Sequence, residues 1–211
     1  MINAKCKICR RNQRKLFLKG EKCFSPKCPM IQKAYAPGMA AKKRRRPLSE
    51  YGKELSEKQK LRNSYGLRER QFRGYVDKVL EKSRMLEDVN PAEVLIRSLE
   101  FRLDNVVYRL GFSINRKHGR QLVNHGFFLL NGKPVDIPSL KVRLGDKISF
   151  RENTKTKSPY TQLEEKLKAY ETPVWLKLDK KSVEGEIIGL PTLEEVSPPA
   201  EISSIFEFYS R

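Results

Sequence analysis

The chain has 211 residues, and its 44 lysines and arginines against 25 acidic residues give it a net charge of +19 at pH 7. Such an excess of cations indicates a polyanionic partner, with nucleic acid favoured over an anionic membrane surface. No apolar stretch approaches about 20 residues, and the N-terminus lacks the apolar core of a signal peptide. The sequence therefore predicts a cytoplasmic protein whose cysteines are reduced thiols or metal ligands.

The first candidate site is a group of four cysteines near the N-terminus. Cys6, Cys9, Cys23 and Cys28 form two close pairs, which is the spacing that a tetrahedral zinc site needs when each pair lies in a tight turn. The flanking cations Lys5, Lys7, Arg10, Arg11 and Lys27 would offset the charge of four thiolates. An iron–sulfur cluster and a metal-free redox pair are the alternatives. We expect one structural Zn²⁺ in a basic module, residues 1–46, which ends in the run AAKKRRRP.

A helical domain is predicted for residues 47–97, completed by residues 193–211. Ser56 is expected to cap one helix and Gly66 to end it. Leu67, Phe72, Val76 and Val79 then recur at the three- and four-residue steps of an amphipathic helix. Of the aromatic residues here (Tyr51, Tyr65, Phe72 and Tyr75), only Tyr65, between Arg62 and Arg68, is kept as a candidate for stacking on an RNA base.

Residues 90–110 are predicted to form one helix, with Asn90 as cap, Pro91 in the first turn and Gly111 at the end. A second helix is expected to begin at Asn115. Arg102, Asn105 and Arg109 share one face of the first helix, and Arg116, Arg120, Lys117 and Gln121 lie on the outer face of the second. With Asp104 as the only acid between Arg102 and the hairpin that follows, the two helices are predicted to present a basic surface that binds phosphate.

The strand pattern begins after Gly126. The run FFLLNGKPV predicts a hairpin that turns at Asn131-Gly132, and LKVRLGDKISF predicts a second strand pair that bends at Gly145-Asp146. A polar linker (ENTKTKSP) and a short helix (QLEEKLKAYE) are expected next. VWLKLD and EGEIIGLP predict a further antiparallel pair, with Trp175 in the core. The C-terminal EISSIFEFYSR is compatible with either a helix or a strand.

The segment RLDNVVYRLGF, followed by GRQLVNHG and LLNGKPVDIPSLKVRLGDKI, resembles the S-four domain, an RNA-binding fold of two helices on a small antiparallel sheet. Together with the cysteines and the closing IFEFYSR, nearly the whole chain resembles the universal S-four family of small-subunit ribosomal proteins in its bacterial form. The implied fold class is α+β, with a zinc module, an all-helical domain and an RNA-binding domain over 98–192 whose core motif is 98–150.

The resemblance implies a structural component of the small ribosomal subunit. Such a protein binds a multi-helix junction in the 5′ domain of 16S rRNA, nucleates assembly and contributes to translational accuracy. Neighbouring small-subunit proteins, especially protein five, and mRNA near its path into the ribosome are the other implied partners. The candidate RNA-binding residues are Arg10, Arg11, Lys43, Arg44, Arg45, Arg46, Arg62, Tyr65, Arg68, Arg70, Arg73, Arg102, Arg109, Arg116, Lys117, Arg120, Gln121 and His125.

Neither a glycine-rich phosphate loop nor a nucleophile with a plausible base is present, and the chain has only two histidines. His118 is expected to be a surface residue. For His125, a helix-capping or packing role is the alternative to an RNA contact. The sequence therefore predicts a non-enzyme with no small-molecule substrate. A free-standing RNA-binding regulator or ribosome-associated factor is the competing interpretation, and a zinc-dependent DNA-binding protein is a more distant one.

Overall fold

The computed structural model describes residues 4–38, 47–85, 90–154, 163, 166–167 and 170–210. The chain divides into two compact units, residues 1–95 with 197–211 and residues 96–196. In the expected short helix over 162–171, residues 162, 164–165 and 168–169 lie outside the described residues, and so does most of the expected linker before it. None of the helices in the described ranges is both long enough and apolar enough to cross a membrane.

The first unit is helical. Its helices are α1 (Ala4–Asn12), α2 (Glu21–Phe24), α3 (Pro29–Gln32), α4 (Glu50–Tyr65), α5 (Glu69–Met85), the start of α6 (Pro91–Glu100) and, after the second unit, α10 (Ile202–Ser210). Leu61, Phe72, Val76 and Ile205 are fully buried in it, and the burial of Phe72 and Val76 confirms the apolar face predicted for α5. The C-terminal segment, for which both helix and strand were compatible, is helical and packs on α4.

Helix α4 begins earlier than the sequence suggests. The hydroxyl of Ser49 accepts the Gly52 N–H at 3.2 Å and caps the helix, so Ser56 lies inside it and the predicted cap is wrong. Gly66, at a φ of 66°, ends the helix as expected, because its left-handed conformation is readily adopted only without a side chain.

The second unit packs two helices on a five-stranded antiparallel sheet. It contains the end of α6, α7 (Leu103–Arg109), α8 (Arg116–Asn124), β1 (Phe128–Leu130), β2 (Lys133–Val135), β3 (Lys147–Phe150), a 3₁₀ turn (Glu152–Thr154), β4 (Leu176–Asp179), β5 (Glu184–Ile187) and α9 (Leu193–Val196). The strand order is β2-β1-β3-β5-β4. Its core includes Val107, Phe128, Ile148 and Trp175.

The sheet confirms two predicted strand pairs and corrects a third. Asn131 and Gly132, at φ of 50° and 78°, make the tight turn between β1 and β2. Strands β4 and β5 also pair as predicted. The expected hairpin around Gly145-Asp146 does not form, because β3 pairs with β1 and β5, whereas Lys141 makes only an isolated bridge with Arg102.

That bridge also divides the predicted helix over 90–110 into α6 and α7. Arg102 is extended, at φ −74° and ψ 135°. The Val142 N–H donates to the Phe101 carbonyl at 2.9 Å, and the Leu103 N–H donates to the Leu140 carbonyl at 2.9 Å. The backbone groups that would continue the helix are therefore paired with the loop before β3.

Candidate nucleic-acid interface

Helix α8 presents one buried and one open face. The Asn115 side chain accepts the His118 N–H at 3.0 Å and begins the helix as predicted, and Gly126, at a φ of 66°, follows its last turn. Gly119, Leu122 and Val123 are buried. Lys117, Gln121 and His125 are exposed, and Arg116 and Arg120 are partly exposed. The helix therefore offers a polar and cationic surface to solvent.

An acidic residue that the sequence analysis did not include organises the cations of this surface. Glu100 has no exposed area, and its carboxylate accepts the Nε and Nη2 of Arg109, each at 2.9 Å. Arg116 approaches the same carboxylate at 3.8 Å. Paired hydrogen bonds of this kind fix the plane of a guanidinium as well as its position. Glu100 thus anchors one arginine from each helix of the pair.

Asn105 completes the network. Its amide nitrogen donates to the Glu100 carboxylate at 2.7 Å, and its oxygen accepts the Arg116 Nε at 2.7 Å. The Arg116 guanidinium also lies 4.8 Å above the centre of the Tyr108 ring, within the range of a cation–π contact. Because the side chains of Arg109 and Arg116 keep 21% and 19% of their area exposed, both are oriented from beneath while still reaching solvent.

Arg102, which the sequence predicts to bind RNA, does not belong to the exposed surface in this structure. Its side chain is 3% exposed, and its Nε and Nη2 donate to the two oxygens of Asp104 at 3.1 and 2.8 Å. The pairing of Arg102 with the loop before β3 turns this side chain inward. Asn105, expected on the same open face, is also buried.

In the first unit, some of the predicted RNA-binding residues are exposed, and others are bound to neighbouring residues of the protein. Arg11, Arg68, Arg70 and Arg73 are exposed. The Arg10 side chain donates to the Tyr35 carbonyl at 2.9 Å, and its guanidinium lies 4.9 Å from the centre of the Tyr35 ring. Arg62 is bound to Glu69 at 2.8 Å.

Tyr65, the candidate for stacking on an RNA base, is 6% exposed, so its ring is not open to a base in this conformation. Lys43 and Arg44–Arg46 lie outside the described residues.

His118 differs from expectation, whereas His125 is the C-cap residue of α8 and so agrees with the capping role. His118 is half-buried, and burial, with the nearby charge of Lys166, lowers its pKa below the ordinary 6.5. It is therefore uncharged at neutral pH and adds no cation to the surface. His125 is exposed at the end of α8, where its backbone N–H donates to the Gln121 carbonyl, so its side chain is not packed in the core.

The four cysteines line one cavity, together with Lys5, Lys15, Lys19 and Phe17. Cys6 and Cys9 lie one turn apart on α1, in place of the expected tight turn, while Cys23 lies in α2 and Cys28 precedes α3. Burial raises the pKa of the Cys9 thiol, the Leu16 N–H lowers it, and the charges of the other three cysteines raise it further. The other three cysteines therefore lie close enough to Cys9 to affect its ionisation.

Their positions are nevertheless not those of a formed ligand set. Over the described ranges, no three or more His, Cys, Asp or Glu side chains are arranged so that they could hold a metal ion. The donor chemistry, four thiols with three lysines around one cavity, fits a structural zinc. The structure thus places the four cysteines around one cavity without arranging them as metal ligands.

Glu100 lies two residues before Arg102, outside the stretch in which Asp104 is the only acid, so the sequence pattern did not single it out. Its nine-residue separation from Arg109 matches no helical pairing step, so no local pattern could have linked them. Exposed cations on the sheet and its loops were also missed. They are Lys133, Lys141, Arg143, Lys147, Arg151, Lys177, Lys180 and Lys181.

Comparison with known proteins covers the whole chain. The profile of the Ribosomal protein S4/S9 N-terminal domain matches residues 1–100, and that of the S4 domain matches residues 101–148. Small ribosomal subunit protein uS4 of Thermus thermophilus is 43% identical over 210 residues, covering 100% of this chain and 98% of the relative. The protein of the same name from Desulfitobacterium hafniense is 45% identical over 208 residues, covering 98% and 96%.

Both units of the structure thus fall within regions of matched sequence, and the resemblance drawn from the helix pair and hairpin extends across the chain. The chain belongs to the family of small ribosomal subunit protein uS4.

Proposed function

We propose that this chain is a structural component of the small ribosomal subunit that binds its rRNA and catalyses no reaction. The observation that carries the proposal is the helix pair of the second unit. There Glu100 holds Arg109 and Arg116 in place, beside the exposed Lys117 and Gln121. Oriented guanidiniums suit phosphate, and the net charge of +19 supplies the general attraction.

In finer detail, the target is a five-helix junction in the 5′ domain of 16S rRNA. Binding there nucleates subunit assembly and, through contact with small-subunit protein five and with mRNA on its way into the ribosome, contributes to decoding accuracy. Such RNA is recognised by the shape of junctions and by unpaired bases, because the deep major groove of A-form RNA is closed to side chains.

The test is binding of the full chain to the junction RNA and to a scrambled RNA of equal length, at near-physiological salt. We expect a preference of about a thousandfold or more, the lower range of specific recognition in protein–DNA complexes. Equal affinity for both RNAs would reduce the interaction to general attraction between opposite charges.

The competing function is a free-standing regulator that visits RNA transiently. A structural component stays with the small subunit during sedimentation through a high-salt wash, whereas a transient factor is released. Duplex DNA that competed as well as folded rRNA would favour a DNA-binding protein in place of both.

We also propose that Cys6, Cys9, Cys23 and Cys28 hold one structural Zn²⁺. The shared cavity and the three lysines around it support this assignment. The metal would tie α1 to the segment carrying α2 and α3, because Leu16 is the one buried apolar side chain besides the cysteines in the described residues 4–38. We further propose that the chain has three domains: the zinc module over 1–46, a helical domain over 47–97 completed by 193–211, and the RNA-binding domain over 98–192.

Metal analysis of the purified protein tests the site directly. We expect one zinc per chain, and Cys9→Ser should lower that content and the helical circular dichroism signal together. Visible absorbance from an iron–sulfur cluster would contradict the zinc assignment. So would a purified chain that holds no metal and whose helical circular dichroism signal is unchanged by a chelator.

A further inference from the structure

Two phenylalanines stand at the surface of the N-terminal segment. Phe24 is 74% exposed and Phe17 is 38% exposed, and their rings stack at a centroid distance of 5.0 Å with an interplanar angle of 27°. Single exposed apolar residues are common, but a stacked pair of this kind leaves a large aromatic face in water. The pair is therefore a candidate contact surface.

The backbone of Phe17 supports this interpretation. Its φ of 50° lies in the left-handed region, which a bulky aromatic residue rarely adopts. Strain of this kind persists where the surrounding structure holds it, and it concentrates at binding sites. Here the strained residue places its ring against Phe24 at the surface, and the Phe17 ring is not buried in the core.

The charge around the pair identifies the occupant. Residues 15–27 contain four lysines and one acid. Lys15 and Lys19 line the same cavity as Phe17, and Lys22 lies exposed in the four-residue helix that carries Phe24. An apolar protein partner would have to desolvate these ammonium groups, whereas a nucleotide offers a flat base to the ring and a phosphate to the lysines.

The other two exposed aromatic side chains in the described residues lack this combination. Tyr35 is covered by the Arg10 guanidinium at 4.9 Å, and Tyr51 packs against Phe208 at 5.4 Å. Phe24 is the most exposed of the four.

We propose that Phe17 and Phe24 form a stacking platform for an unpaired RNA base, with the surrounding lysines binding the adjoining phosphates. This inference rests on the proposed function, since it adds a site for single-stranded RNA to a protein that binds folded rRNA. The platform would accept any RNA base, and it lies in the N-terminal segment, far before the helix pair in the sequence.

The test measures the affinity of the full chain for an unstructured 12-nucleotide RNA by fluorescence anisotropy. Phe24→Ala should weaken binding about 5- to 100-fold, the range that stacking of one base contributes. Phe24→Leu should lose a similar amount, because it keeps apolar bulk without a π face, and Phe24→Trp should bind at least as tightly as the wild type. Ile31→Ala is the matched control, since Ile31 is exposed in the same segment but is not aromatic.

Salt dependence and an altered RNA separate stacking from charge. Phe24→Ala should leave the slope of log K against log salt unchanged, whereas Lys22→Gln should reduce it. An RNA with abasic positions should bind the wild type as weakly as Phe24→Ala binds the intact RNA. If Phe24→Leu binds like the wild type, or if neither variant is weakened, the platform is wrong.

The same variants are tested on the five-helix junction and its scrambled control. A wild type without preference for the junction would overturn the proposed function whatever Phe24 does. If the wild type prefers the junction but the Phe24 variants bind the unstructured RNA as tightly as the wild type does, only the platform is overturned. Thermal melts confirm folding, and if Phe24→Ala unfolds, the comparison of Phe24→Leu with Phe24→Trp decides.

Discussion

The Arg109 guanidinium meets the Glu100 carboxylate in two hydrogen bonds of 2.9 Å each, and the carboxylate is completely buried. This pair joins the end of α6 to the end of α7 and, through Asn105, to the first residue of α8. A buried acid therefore orients cations that the RNA would otherwise have to organise on binding, which would lower affinity.

Replacement of Glu100 tests that role. Glu100→Gln leaves Arg109 and Arg116 without their counter-charge, so the free energy of unfolding should fall by about 3 kcal/mol in urea denaturation. The variant carries one more net positive charge, yet we expect a weaker preference for junction RNA over scrambled RNA. Glu81→Gln, at an exposed position of α5, adds the same charge and should change neither quantity. Unchanged preference in Glu100→Gln would show that the orientation of the arginines is unimportant for recognition.

Arg102 and Arg120 should separate stability from RNA binding. Arg102→Ala leaves Asp104 buried without its partner and should cost about 3 kcal/mol of unfolding free energy. Arg120→Ala, on the partly exposed face of α8, should leave stability nearly unchanged but lower the salt slope of RNA binding by about one. A salt slope that fell in Arg102→Ala at full stability would mean that this arginine turns outward to reach RNA.

The attachment of the C-terminal helix should depend on pH through Glu69. Burial raises the pKa of this carboxyl, but hydrogen bonds from Lys58 and Tyr209, with the charges of Lys58 and Arg62, bring it below the ordinary 4.5. A carboxyl with a lowered pKa in the folded state stabilises the fold above about pH 4.5 and loses that contribution as the pH falls through the folded-state value. Glu69→Gln should therefore be less stable than the wild type at pH 7, and the difference should shrink toward pH 3.

Urea denaturation at pH 7, 5, 4 and 3 measures this effect. Tyr209→Phe removes the hydroxyl that donates to Glu69 at 2.8 Å and should weaken the same pH dependence in part. A wild type and a Glu69→Gln variant with parallel pH curves would contradict the assignment.

Gly119 shows a conflict between local preference and packing. Helix propensity alone favours alanine by about 1 kcal/mol at this position of α8. A Cβ there would stand 2.9 Å from the Asp104 carbonyl oxygen and 2.9 Å from the Ser113 hydroxyl. We expect Gly119→Ala to lower the free energy of unfolding by about 1 kcal/mol, since overpacking outweighs propensity.

Adding Ser113→Ala should recover part of that loss by removing the hydroxyl contact, and a double-mutant cycle measures the coupling between the two positions. Stabilisation by Gly119→Ala alone would show that α8 shifts freely away from α7.

Features that depend on neighbouring residues could be read from the sequence. Asn90 and Asn115 cap helices because their side chains reach backbone N–H groups two or three residues ahead. Asn131 and Gly132 turn the β1–β2 hairpin because they tolerate positive φ. The cysteine spacing likewise indicated a shared location, and the charge indicated a polyanionic partner.

Features that depend on distant residues required the tertiary structure. Arg102 leaves the helical path and becomes buried because its backbone bridges to Lys141, 39 positions later in the sequence. A continuous helix would place Glu100 and Arg109 about 13.5 Å apart along its axis, so their ion pair depends on the break at Arg102. Hydrophobic spacing and residue type thus determined most of the helices and strands and the class of ligand they suit, but not the break at Arg102 or the loss of the hairpin at Gly145. Long-range backbone pairing decided which arginines remain open to that ligand, because a buried hydrogen-bonding group takes whichever partner the whole fold brings to it.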